Sequence, residues 1–242
     1  MIIQLLGNII PLIFGIIAIW KWKSSKLDNT QIRKRLGFTP FSTFQIISGI
    51  FISAFIFTII FVVFYYFNLL TIVQFSWTRG NVLKAISMLA ALAFAEELIF
   101  RSFFINGLRL WLKSTTIILI ISAIFFSLVH WFNDGSTVLS AFSAFLGGLM
   151  YAYAFIKTDK LWLPLGLHFS WNFFQGFVYG FPVSGYVFDG LFEVNISGQE
   201  FWTGGAYGPE GGLIGIFARV FVIFAIWLLI KIKYDSKQCI KN

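Results

Sequence analysis

Charge is scarce in this chain of 242 residues: Asp, Glu, Lys and Arg make up 12% of it, about half the share usual in soluble domains. Proline numbers 5, histidine 2 and cysteine 1. The lone Cys239 excludes a disulfide framework and any cysteine-based metal cluster. Its context, Cys239-Ile240-Lys241-Asn242, does not make a prenylation box, because Lys241 stands where an aliphatic residue is needed. No polar stretch is long enough to fold alone as a soluble domain. What fills the chain is apolar: 58% of residues are hydrophobic and 20% aromatic, with 32 Phe.

Runs of about 18 or more apolar residues recur along the chain, each long enough to cross a hydrocarbon core of about 30 Å. They predict an all-α fold, a polytopic transmembrane bundle of about seven spans, near 2–20, 43–68, 82–105, 115–133, 138–156, 161–181 and 211–230. The first run, Ile2 to Trp20, lacks a basic leader and a small-residue cleavage site, so it reads as a retained span. A net charge of +8 could serve nucleic acid, but its placement points elsewhere. Lys21, Lys23, Lys26, Arg33, Lys34 and Arg35 share one face with Arg109, Lys113, Lys157, Lys160, Lys231, Lys233, Lys237 and Lys241. The opposite face receives Arg79 and Lys84, while Arg101 and Arg219 fall within spans. This is the positive-inside pattern, predicting the N-terminus out and the C-terminus in. The basic charge sets topology, and no nucleic-acid partner is expected.

Between spans, Lys21 to Pro40 is basic and is expected along the cytoplasmic surface. The segment from Pro182 to Glu210 is rich in Gly and aromatics, carries Asp189, Glu193, Glu200 and Glu210, and has no Lys or Arg. It is expected outside, as either a lid or a packed plug. Ser140, Ala144, Gly148 and Ala152 repeat every fourth residue and predict a seam where a neighbouring helix packs closely. No internal repeat of the kind that builds transporters is present. Arg219 is expected to pair with an acid such as Glu210 or to extend toward the headgroups.

The polar residues inside the spans carry the chemistry. Phe94-Ala95-Glu96-Glu97-Leu98-Ile99-Phe100-Arg101 puts two carboxylates in an apolar helix, where each charge costs about 2.5–3.5 kcal/mol at mid-bilayer. Glu97 and Arg101, four apart with the acid first, are spaced as an ion pair. Glu96 then faces about 100° away from that pair. Both histidines of the chain also lie in apolar runs, His130 ending Phe126-Ser127-Leu128-Val129-His130 and His168 opening His168-Phe169-Ser170-Trp171-Asn172. Glu96, His130, His168 and Asn172, drawn from three spans, supply what amide hydrolysis needs: a base for water, a group to orient it and donors for an oxyanion. A count of depth fits only in part. Glu96 and His168 fall about 12–14 Å from the cytoplasmic edge and His130 about 22 Å.

EELIFR resembles an EExxxR motif, FSLVH an FxxxH motif and HFSWN the third motif of the CPBP family of CAAX proteases and bacteriocin-processing enzymes. The resemblance spans residues 85 to 178, and each motif sits in its own span. It implies a catalytic core there, flanked by N-terminal spans with the basic loop (1–84) and by the outward loop, last span and basic tail (179–242). It implies that Glu96 activates water with His130, that His168 and Asn172 stabilise the oxyanion, and that Glu97 and Arg101 hold the helix. Glu96, His130 and His168 can also be read as zinc ligands with a water in the fourth position. Asn172, a poor zinc ligand and a natural oxyanion donor, favours the metal-free reading. The implied function is an intramembrane endopeptidase of a bacterial plasma membrane, acting on a membrane-associated peptide or protein. The alternative is a non-catalytic peptide-binding membrane protein, such as a bacteriocin immunity factor or a sensor modulator.

Overall fold

The computed structural model describes residues 2–77 and 80–239. Arg79 and Lys241 lie outside the described residues, as do the side chains of Lys233, Lys237 and Cys239. In chain order the elements are α1 (Ile2–Ser24), α2 (Asn29–Arg35), α3 (Thr43–Tyr66), β1 (Leu70–Phe75), α4 (Val82–Glu97), a π-helix (Leu98–Ile105) and α5 (Asn106–Leu108). Next come α6 (Thr115–His130), α7 (Val138–Thr158), α8 (Trp162–Asn172), a second π-helix (Phe173–Val178), β2 (Phe192–Ile196), α9 (Glu200–Thr203) and α10 (Leu213–Cys239). The molecule is mostly helical, as the apolar runs predict. Thr43–Tyr66, Val138–Thr158 and Leu213–Ile232 are long and apolar enough to cross a membrane, and Thr115–His130 is a shorter apolar helix.

Polar caps punctuate the apolar runs. Ser42, Asn81, Ser114 and Thr137 each accept a hydrogen bond from the backbone N–H three residues on, filling donors that a helix start leaves open. The buried core joins α3, α6, α7, α8 and α10 through Phe57, Phe64, Phe126, Phe155, Trp171 and Val222. The small-residue seam of α7 is buried as expected, and a Cβ on Gly148 would come within 2.8 Å of Ala123 Cα on α6. Helices α3 and α8 cross with their backbones close together. A Cβ on Gly49 would meet Leu167 N at 2.6 Å, and one on Gly166 would strike the Ile46 carbonyl. Ser53 Oγ donates to Leu167 O at 2.9 Å, and Ser170 Oγ donates to Ile50 O at 2.8 Å. Glycine contact and hydroxyl bonds together fix α8, the helix that carries His168 and Asn172.

Two features depart from the expected all-helical bundle. First, β1 pairs antiparallel with β2, from Leu70 opposite Ile196 to Phe75 opposite Phe192, with an irregularity between Ile72 and Gln74. This sheet anchors the segment after α3 to the long loop, within which Val183, Tyr207 and Glu210 are buried while Tyr186 and Val187 are exposed. Second, the helix bearing Glu96 continues to Leu108 rather than ending near 105. Three more residues add about 4–5 Å of helix after Glu96, which narrows the gap in counted depth between Glu96 and His130.

Candidate active site

Glu96 is the penultimate residue of α4, and a π-helix starts two residues later. Asn172 is the last residue of α8, and the second π-helix starts at the next position. Such segments are uncommon and concentrate at functional sites, because the wider turn re-aims the side chains around it.

The structure brings the expected residues together. Glu96 Oε2 lies 3.9 Å from His130 Nε2 and 3.8 Å from His168 Nε2. Each imidazole is held from behind. His130 Nδ1 donates to the Phe126 carbonyl at 2.8 Å, an oxygen that can only accept. His168 Nδ1 donates to Glu97 Oε1 at 2.8 Å. Both rings thus turn Nε2 toward Glu96. Tyr151 stacks on His168, with ring centroids 4.6 Å apart and planes 13° apart, and Phe126 lies against His130 at 4.3 Å. The distances from Glu96 are too long for direct hydrogen bonds and short enough for a shared water. Glu96 Oε2 is itself buried and has no hydrogen-bond partner among the described residues. Asn172, one turn beyond His168, is buried in the wall of the same cavity.

Glu97 does more than the sequence reading assigned it. Its side chain is buried, with Arg101 Nε 3.2 Å from Oε2. The Arg101 N–H is not aligned as a hydrogen bond, so the pair is a Coulombic contact, and Arg101 also lies over Phe126 at 4.5 Å and Tyr151 at 5.2 Å. The other oxygen of Glu97 sets the orientation of His168. Spacing along one helix reveals the Arg101 pair; the His168 pair, 71 residues away, has no local signal.

The cavity has a volume of about 520 Å³. It runs from Glu96, His130 and His168 to Asn133, Ser184, Tyr186 and Val187, at the end of the bundle opposite the basic clusters. Tyr186 is 57% exposed and Val187 79%, so the cavity reaches the surface there. Its far wall holds a second charged group. Arg219 Nη2 bonds Glu210 Oε2 at 2.6 Å, so Arg219 pairs rather than snorkels. Glu210 also accepts from Trp171 Nε1 at 2.9 Å and from Ser184 N and Oγ, each at 2.7 Å. Burial alone would raise the Glu210 carboxyl, but Arg219, Ser184 and Trp171 outweigh it and hold it below its ordinary range. Burial pushes the nearby Tyr207 hydroxyl well up, with the Glu210 charge adding to the effect.

Residues 77–174 match the Rce1-like family of type II CAAX prenyl endopeptidases. The matched stretch contains Glu96, His130, His168 and Asn172, and it bears out the resemblance carried by the three motifs. Neither the curated proteins nor the solved structures give a match. The family supports a membrane protease in general terms.

A metal centre is a poorer fit to these side chains. Ligands at zinc distances stand about 3.3 Å apart in a tetrahedral site, closer than the 3.8 and 3.9 Å found around Glu96. Among the described residues no group of three His, Cys, Asp or Glu is spaced to hold a metal ion.

Proposed function

We propose that this chain is an intramembrane endopeptidase in which Glu96 and His130 activate water and His168 and Asn172 stabilise the tetrahedral oxyanion. The observation that carries the reading is the convergence of two imidazole Nε2 atoms on one unpartnered carboxylate oxygen. With Nδ1 protonated on both rings, three acceptors face one another, and a water can donate one hydrogen to Glu96 and the other to His130 Nε2. Glu96 takes a proton from that water as its oxygen adds to the scissile carbonyl, and delivers it to the departing amine nitrogen. His130 Nε2 holds the other hydrogen of the water. Asn172 donates its side-chain amide to the oxyanion. His168 joins it by donating from Nε2 in its doubly protonated form, the extra proton taken from bulk water through the open cavity and returned there when the oxyanion collapses, while Nδ1 stays on Glu97.

The finer topology belongs to the same proposal: seven spans, the basic end inside the cell, and Glu96 about midway along its helix. On that orientation the cavity opens away from the cytoplasm. The substrate is then a membrane-associated peptide or protein presented from the outer side, in the plasma membrane of a bacterium.

Purified protein in liposomes, given a peptide library, should produce cleavage that Glu96→Gln and His130→Ala abolish. Cleavage at the wild-type rate by both variants would sink the proposal. Retained biological effect in a correctly folded Glu96→Gln strain would favour the immunity or sensor-modulating role instead.

A further inference from the structure

A second cavity, of about 560 Å³, lies at the other end of the bundle, where the end of α1 meets α2 and the turn after α5. Its wall carries Lys34, Arg35 and Arg109 against a single carboxylate, Asp159. That carboxylate is committed to Arg109, at 3.1 Å. Lys34 and Arg35 make no ion pair among the described residues, and Arg35 lies over the Trp22 ring at 5.3 Å. Excess positive charge therefore faces the cavity.

The wall is also preorganised. Asn106 spends its amide on the backbone: Nδ2 donates to Arg35 O at 2.8 Å and to Ser102 O at 2.7 Å. Its Oδ1 accepts from Arg109 Nη1 at 3.2 Å, which holds that guanidinium in place. Trp22 supplies a second, independent sign of a ligand. It is 5% exposed and lines the cavity, and its indole N–H is buried with no partner. An indole N–H can only donate, and leaving it unpaired is costly. The groups left unpaired there, the Lys34 and Arg35 cations and the orphan indole N–H, are all donors, and with the fixed Arg109 guanidinium they fit a phosphate oxygen. Half-exposed Trp111 adjoins Leu110 in the wall, as an aromatic residue does at a lipid interface.

We propose that this cavity binds a phosphate group, supplied by the headgroup of an anionic phospholipid in the leaflet on the basic side. The site stands apart from Glu96 and does not depend on peptidase activity. Basic pockets at the cytoplasmic edge of helical bundles suit such headgroups, where the leaflet is itself anionic.

The test is thermal unfolding of the full chain in neutral detergent. It is titrated with phosphatidylglycerol, with phosphatidylcholine and, separately, with inorganic phosphate. Phosphatidylglycerol should raise the melting temperature by several degrees and phosphatidylcholine should not. The Lys34→Gln/Arg35→Gln double variant should weaken the apparent affinity tenfold or more. Trp22→Phe, which keeps an aromatic ring beneath Arg35 and removes the N–H donor together with the rest of the indole, should weaken it severalfold, and it serves alone should the double variant fail to fold. Equal shifts with both lipids, or an undiminished shift in the variants, overturn the proposal. A full shift with inorganic phosphate would keep the anion site but overturn the lipid as its source.

Discussion

Glu210 and Glu96 line one cavity, yet four donors surround the oxygens of Glu210 while Glu96 Oε2 has no hydrogen-bond partner among the described residues. Glu210 meets a guanidinium at 2.6 Å, and it ties together three separate segments through Trp171 and Ser184 on its carboxylate and Ser143, which donates its hydroxyl to the Glu210 backbone carbonyl. Glu96 meets two imidazoles only at 3.8 and 3.9 Å. A buried charge that is fully engaged serves the fold; one with an unfilled lone pair, aimed at two polarised rings, is set for chemistry.

The contrast can be broken at either carboxylate. The largest effect on stability is expected from Arg219→Leu, which leaves Glu210 buried without its counter-charge at a cost of about 3–5 kcal/mol. Thermal unfolding in detergent should show the loss, and an unchanged melting temperature would mean that Glu210 is not held by Arg219. Asn172→Ala should come next, lowering turnover by roughly 10²–10³ while peptide binding persists. A turnover near wild type would remove Asn172 from the oxyanion site. The smallest effect concerns acid. The depressed Glu210 carboxyl stabilises the folded state fully above the ordinary carboxylate range, and that stability drains away as pH falls through its folded value. Unfolding should therefore steepen below about pH 4, and Glu210→Gln should flatten that limb. Equal acid sensitivity in both forms would contradict the assignment.

Much of this site is legible from the chain because polar residues are so few in the spans. Glu96, His130, His168 and Asn172 stand out against Phe, Leu and Ile, and the structure sets the first three around one point and the fourth in the same wall. What escaped notice depends on contacts distant in sequence. The bond from His168 to Glu97 crosses 71 positions and that from Trp171 to Glu210 crosses 39. The π-helices at Leu98–Ile105 and Phe173–Val178 leave no mark in an apolar periodicity. The strand Phe192–Ile196 did leave one, alternating apolar and polar as Phe-Glu-Val-Asn-Ile. Its partner, Leu70–Phe75, continues an apolar stretch, so only the pairing identifies it.

The central claim is that Glu96 does chemistry and Glu210 does not. Turnover of a library-derived peptide and melting temperature, measured side by side for Glu96→Gln and Glu210→Gln in the same proteoliposomes, test it most directly. Glu96→Gln should lose at least about a hundredfold in turnover with its melting temperature intact, and Glu210→Gln should melt earlier. Near-normal cleavage by Glu96→Gln would contradict the account.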